Sequence, residues 1–431
     1  MKKDFRPFIL LWLGQVLASL GSGLSTFGLG VYAFSLAQSA LDSSLVLLLG
    51  FLPSLLLLVP SGVLADTYDR RLLMILGDGL SGLGILFILL VKVYGQLTLA
   101  HIYIGVFISS LFSSLMEPAY RASVTDLLDK EDYTKASGLV QLASSAKFLL
   151  SPLLGGLLLK HYDLEVLLGL DIASLFVTLS LTFAVRKSLK NQTPSREGVF
   201  VKDLATGWAL LRENKGVYSL ALAGGGLTFF IGLLQALAGP YILSAFTQDQ
   251  LGLSLSLSAL GMVFGGLALG LVPLKKNFLA SLSASLLVAG LAMASYGFYP
   301  SFIRITLSGF LFFASLPLAN ASMDYLVRAH IPGDFQGRIW AFMGLISQMG
   351  YVLAYPLAGF LADQVFSPAL ETQGALAETL GLVLGTGPGR GMGLLIILGA
   401  LGLMAMGLGL WLNQDLRQLD ALTQEGDRHD F

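Results

Sequence analysis

Lys147 and Asp171 are ionisable residues set inside long apolar stretches of a 431-residue chain. At 1.5 Å of rise per helical residue, Asp171 sits about 12 Å and Lys147 about 20 Å below the same membrane surface. Charge at such depth is costly unless it faces a partner or a water-filled cavity, so these residues mark ion or substrate pathways. Three roles compete for them: a proton or substrate site, a structural Lys–Asp pair, and an interhelical cap made by Asp171 alone. Nearer a surface, Glu117 and Arg121 stand at i and i+4, with Ser110 and Ser113 on the same helical face. That spacing suits a solvated helix-end pair, or a proton-carrying acid at a cavity mouth. Asp66 offers a carboxylate that can accept hydrogen bonds from the N-terminus of a facing helix, and Arg70 and Arg71 can form bidentate pairs. Such contacts would hold a gate shut; fixing topology is the simpler duty the same charges could serve. Asp78 and Asp324 lie near the same surface and are expected in interfacial charge networks.

Polar stripes point to a cavity. Gln15, Ser19, Ser22 and Thr26 recur at intervals of 4, 3 and 4, which is one face of a helix. Gln348, Tyr351 and Tyr355 repeat that pattern, and Thr228 and Gln235 are seven apart. All are candidates for cavity lining, although polar side chains also join helices inside membranes. Paired glycines at Gly155–Gly156, Gly224–Gly226 and Gly265–Gly266 permit close helix approach. The chain has no cysteine and four scattered histidines, so no metal-ligand spacing is present. The loop Gly385–Arg390 is glycine-rich but lacks the Gly-Lys-Ser/Thr ending of a phosphate loop. No catalytic residue, metal or cofactor is expected, and the chain is not read as an enzyme.

The elements that must position these residues follow from composition. Hydrophobic residues make up 55% of the chain and charged ones 12%, against about 25% charged in soluble domains; mean hydropathy is +0.76. A net charge of −1 with no basic block excludes nucleic-acid binding. Apolar stretches long enough to span a bilayer fall at 8–36, 45–65, 72–94, 98–118, 138–159, 163–185, 216–245, 252–273, 278–298, 301–323, 338–365 and 390–412. The first is too long for a signal-peptide core and is read as a retained span. Two connections are longer. One is the polar stretch 186–215, in which Val199, Leu204, Trp208 and Leu211 alternate with charge as in an interfacial amphipathic helix. The other is the glycine-rich 367–389. Of the 26 lysines and arginines, 21 fall on the side holding the N-terminus, four (Lys92, Lys160, Arg304, Arg390) on the other, and Lys147 within a span. Both termini are therefore expected in the cytoplasm. The halves also repeat: Pro118, Ala122, Ser123 and Gly138 recur as Pro317, Ala321, Ser322 and Gly337 at a constant offset of 199. Duplicated six-helix halves are the architecture of a secondary transporter.

The run Gly62-Val63-Leu64-Ala65-Asp66-Thr67-Tyr68-Asp69-Arg70-Arg71 resembles the loop 2–3 signature of the major facilitator superfamily, G-x-L-A-D-x-x-x-R-[RK]. Trp12-Leu13-Gly14-Gln15, Asp78, Pro118-Ala119, Asp171 and Gln336-Gly337-Arg338 resemble the drug:proton antiporter branch that includes macrolide-efflux proteins. Two positions depart from the pattern. Thr67 stands where a basic residue is common, and Lys147-Phe148-Leu149-Leu150-Ser151-Pro152-Leu153-Leu154-Gly155-Gly156 lacks both leading glycines of the helix 5 motif. Asp171 fits a position where the family tolerates an acid and is read as structural first. Lys147 replaces a glycine and is read as functional first.

The resemblance implies an all-α polytopic membrane protein of the major facilitator fold, with 12 transmembrane helices in two pseudo-symmetric six-helix bundles. Residues 1–185 and 216–412 would form the bundles, 186–215 a cytoplasmic linker and 413–431 a cytoplasmic tail. The implied function is export of an amphipathic or hydrophobic small molecule from the cell by alternating access, coupled to a proton or other ion gradient. The expected form is a monomer in the cell membrane, in contact with lipid. A lipid or metabolite carrier working as a uniporter or importer is the alternative within transport, and a membrane sensor or scaffold without turnover is the alternative outside it.

Overall fold

The computed structural model describes residues 5–185, 212, 214–272, 274, 276–331 and 333–429. The expected linker helix over 199–212 lies, but for Arg212, outside the described residues. Every regular element among the described residues is helical. The helices are α1 (Arg6–Ala37), α2 (Ala40–Leu56), α3 (Leu58–Thr67), α4 (Arg70–Tyr94), α5 (Leu99–Leu127), α6 (Tyr133–His161) and α7 (Leu164–Val185), then α8 (Lys215–Leu243), α9 (Gln248–Leu271), α10 (Phe278–Phe298), α11 (Phe302–His330), α12 (Gly333–Leu361), α13 (Arg390–Leu412) and α14 (Gln414–His429). Among the described residues, eleven helices are long and apolar enough to cross a membrane, and the chain is a multi-pass membrane protein.

The second expected span, 45–65, is not a single helix. It breaks at Leu57 into α2 and α3. Pro60 explains the break: it has no N–H for the carbonyl of Leu56, and its ring would clash with that carbonyl in a continuous helix. The connection 367–389 also differs from an open loop. After α12 the chain runs through a π-turn at Ala362–Phe366 and one α-turn at Ser367–Ala369. It then folds back so that Leu370, Leu384 and Leu394 are buried together against Phe366, Leu376 and Ile397. Gly385, Gly387 and Gly389 make the returning turns at φ 83°, 107° and 78°, a region glycine enters without steric cost.

The chain divides into two compact units. Among the described residues, the first holds those up to 185 with 247–256, and the second holds those from 212 to 246 with those from 257 onward. In the first, α1 packs against α6 and α7, and α4 against α5 and α7. An apolar cluster closes each end: Phe8, Leu11, Met74 and Tyr120 at one, Leu29, Ile85, Ile102 and Leu168 at the other. Between them α1 presents small or polar residues, Gly14, Gly21, Gly23, Ser25 and Gly28, all buried. The start of α9 counts with this unit because glycines remove the side chains at the contact. A Cβ on Gly156 would lie 3.2 Å from the Cα of Gly252, and beside them Lys160 donates to Asp249 at 2.8 Å. In the second unit α10 packs on α11 and α13, and α8 on α12. Here Gly225 and Gly350 bring α8 and α12 together, and Gly290 and Gly399 bring α10 and α13 together.

The internal repeat has a structural counterpart. Ser123 in α5 and Ser322 in α11 are fully buried, and each donates to the carbonyl four residues back, Ala119 at 2.7 Å and Leu318 at 2.8 Å. Each accepting residue directly follows the helix-interior proline, Pro118 or Pro317. Large apolar side chains left exposed, among them Leu90, Phe176, Leu222, Leu271, Ile303 and Leu408, are what a lipid-facing surface requires, since hydrocarbon imposes no cost on them.

Candidate functional site

Helix α1 carries two packing faces. Gly14, Gly21, Ser25 and Gly28 recur at intervals of 7, 4 and 3 and meet α7: Thr178 donates to the carbonyl of Gly14 at 2.9 Å, and a Cβ on Gly28 would touch Leu164 and Leu167. Leu20, Gly23 and Phe27 form the second face against α6, where Ser151 donates to the carbonyl of Leu20 at 3.1 Å. Asp171 enters on the first face. A Cβ on Gly21 would lie 2.8 Å from its Oδ1 and 3.0 Å from its Cα, so glycine is what lets the acid approach the α1 backbone.

Asp171 is only 2% exposed, and its Oδ1 is fully buried without a hydrogen-bond donor. The Ser25 hydroxyl lies beside the carboxyl, and Lys147 is within electrostatic reach. Lys147 enters on the other face of α1, its Cγ 3.1 Å from a Cβ on Gly23. It is half-buried, and Asp171 and Glu117 are the acids that act on it. The helices thus bring Lys147, Asp171 and Glu117 into one electrostatic neighbourhood. Glu117 itself forms the i, i+4 pair with Arg121 at 2.8 Å, both side chains more than 60% exposed.

The polar stripe of α1 lies on a third face. Gln15 donates to Ser19 at 3.4 Å and Thr26 to the carbonyl of Ser22 at 2.7 Å, bonds that run along the helix. These four residues are partly or fully exposed. In the second unit the expected lining residues differ. Thr228 donates to the carbonyl of Ser347 at 2.5 Å and so stitches α8 to α12. Gln235 accepts from the Tyr355 hydroxyl at 3.0 Å across the same pair of helices. Tyr351 stacks obliquely near Tyr355, ring centroids 5.9 Å apart, and Gln348 is half-buried one turn away.

At the α3–α4 junction Asp69 caps α4 by accepting from the Arg71 N–H at 3.0 Å, and its carboxylate lies 3.6 Å from the Arg71 guanidinium. Arg70 turns the other way, donating to Asp126 at 2.7 Å and to the carbonyls of Ala65 and Ala122 at 3.3 Å. Asp126 was not among the residues expected from sequence, yet a signal exists. Arg70 opens α4 and Asp126 sits in the last turn of α5, and an antiparallel hairpin puts those ends side by side. The Asp66 side chain lies outside the described residues. Asp78 is 4% exposed, two turns inside α4, and none of the ion pairs among the described residues includes it. Among the described residues no three of His, Cys, Asp and Glu come together as a metal would need.

The family model described as Major Facilitator Superfamily matches residues 11–354. Macrolide efflux protein A of Streptococcus pyogenes is 26% identical over 370 residues, 83% of this chain and 90% of that protein. Enterobactin exporter EntS of Escherichia coli O1:K1 is 29% identical over 288 residues, 65% of this chain and 67% of that one. Among solved structures, the nucleoside transporter NupG superposes with TM-score 0.75 at 12% identity, covering 95% of this chain and 100% of that one. A bacterial homologue of the iron transporter ferroportin in its inward-facing state gives 0.69 at 15%, covering 96% and 100%. With the match spanning most of the sequence and the helical fold agreeing throughout, the chain is a membrane transporter of the Major Facilitator Superfamily.

Proposed function

We propose that the protein exports an amphipathic or hydrophobic small molecule across the cell membrane by alternating access, with a proton as the coupling ion. The observation that carries this reading is Asp171: a buried carboxyl in a membrane-spanning helix, with one oxygen lacking any donor and Lys147 in electrostatic reach. Such a group can take up and release a proton, and loading it changes the charge balance around Lys147. The relatives named for macrolide efflux and enterobactin export support an outward direction and a bulky substrate. Lys147 suits an anionic or zwitterionic substrate better than a cationic one, because like charges repel strongly where water is scarce. Gln15, Ser19, Ser22 and Thr26 would line the path in the first half, and Gln348 and Tyr351 in the second. Asp66, Arg70, Arg71 and Asp78 would govern closure at the cytoplasmic side, where both termini and the 186–215 linker would lie. The working form is a monomer in lipid.

The test is accumulation in vesicles. Purified protein is reconstituted, a proton gradient is imposed, and uptake of a macrolide and of enterobactin is followed. Accumulation against the concentration gradient that stops when the proton gradient is collapsed is the expected result. Accumulation indifferent to protons would overturn the coupling. Equilibration without accumulation would favour the uniporter reading, which the lysine in the helix 5 motif already raises.

A further inference from the structure

Arg304 and Arg390 lie in the second unit, at the first turns of two long helices, α11 and α13. Both converge on Tyr299. Arg304 donates through Nη2 to the Tyr299 carbonyl, and the Arg390 guanidinium lies over the Tyr299 ring, 4.6 Å from its centroid. Phe298 flanks Arg304 at 5.6 Å, and both guanidiniums are within electrostatic reach of the Tyr241 phenol. The loop before α13 rides close over Arg390: a Cβ on Gly385 would lie 3.2 Å from its Nε.

Two positive charges are therefore gathered in one small region, and no carboxylate pairs with either among the described residues. Arg304 Nε and Arg390 Nη1 are also fully buried with no acceptor. A buried charged donor without an acceptor carries its full desolvation cost, and the two cations add mutual repulsion. The N-terminal N–H groups of α11 and α13 add positive potential rather than relieving it. An anion would satisfy all of these at once.

We propose that Arg304 and Arg390, with Tyr299 between them, bind a phosphate-bearing anion where α10 ends and α11 and α13 begin. The guanidinium fork matches phosphate oxygens bidentately. Aromatic side chains at the ends of spans mark the depth of lipid headgroups. The phosphate can therefore belong to an anionic lipid or to a soluble phosphate group. This inference does not rest on the export reading, and neither Lys147 nor Asp171 takes part in it.

The experiment measures thermal unfolding of the full-length protein with two probes. Inorganic phosphate is titrated against protein in neutral detergent, and phosphatidylglycerol is doped into phosphatidylcholine nanodiscs. At least one probe should raise the melting temperature. Arg304→Gln and Arg390→Gln should each weaken the probe's apparent affinity about tenfold or more, whereas Lys92→Gln, a basic site elsewhere, should not. A response to phosphatidylglycerol alone assigns the site to a lipid headgroup, and a response to inorganic phosphate in micelles assigns it to a soluble group. No response to either probe, or an equal loss in Lys92→Gln, overturns the proposal. Should the glutamine variants not fold, phenylglyoxal labelling of the unmodified protein decides. The effective probe should protect Arg304 and Arg390, and unchanged labelling overturns the site.

Discussion

Arg70, the first residue of α4, donates to Asp126 in the last turn of α5 at 2.7 Å, and the two side chains are 13% and 17% exposed. Because it is largely withdrawn from water and reinforced by bonds from Arg70 to two carbonyls, this pair should couple more strongly than a surface pair. A double-mutant cycle with Arg70→Gln and Asp126→Asn should give a coupling of about 1–2 kcal/mol in unfolding free energy. The same cycle on Glu117 and Arg121, both largely exposed, should give about 0.5 kcal/mol or less. Equal couplings would mean that burial does not distinguish the pairs.

Glycine spacing in α1 makes a second comparison. Gly21→Ala places a methyl group against Asp171 and Ser174, whereas Gly30 has open space where its Cβ would be. Alanine is intrinsically better than glycine in a helix by about 1 kcal/mol, so Gly30→Ala should be neutral or stabilising. Gly21→Ala should cost about 1–3 kcal/mol through overpacking and reduce transport. Thermal stability of the two variants, read side by side, checks it; a Gly21→Ala protein as stable as Gly30→Ala would show that α7 yields easily.

Asp171→Asn keeps shape and removes the charge. Accumulation against a gradient should be lost, while downhill exchange of the same substrate persists. Lys147→Met and Lys147→Arg separate length from charge: only the Met variant should lose transport if the ammonium acts on substrate or coupling. Two folded variants that both transport like the parent at every pH would place Lys147 in a structural or lipid-facing role.

The absence of native cysteine permits a clean test of sidedness. Ser195→Cys should resist a membrane-impermeant thiol reagent in intact cells and Ser367→Cys should react. The reverse pattern would falsify cytoplasmic termini.

Much of the fold was legible in the sequence because a bilayer leaves few choices. Backbone groups inside hydrocarbon must bond within their own segment, so long apolar stretches such as 216–245 and 278–298 could only be helices, and they are α8 and α10. The repeat at offset 199 was readable for a related reason: a buried serine one turn beyond a helix-interior proline serves the same local bond in both halves. Chemistry inside the spans was legible only as residue type. Lys147 and Asp171 stood out as charges at depth, but spacing along α6 and α7 says nothing of the helix between them. Tertiary packing decided that α1 touches both, through Gly21 on one face and Gly23 on another. It also turned Thr228 and Gln235 into bonds across α8 and α12, because a hydroxyl or amide beside a close helix contact finds a carbonyl or phenol there. Pairings such as Arg70 with Asp126, and the gathering of Arg304 and Arg390 around Tyr299, depend on which helix ends come together. The length of an apolar stretch fixes where a helix crosses the membrane; close packing of its small residues fixes which neighbour it meets.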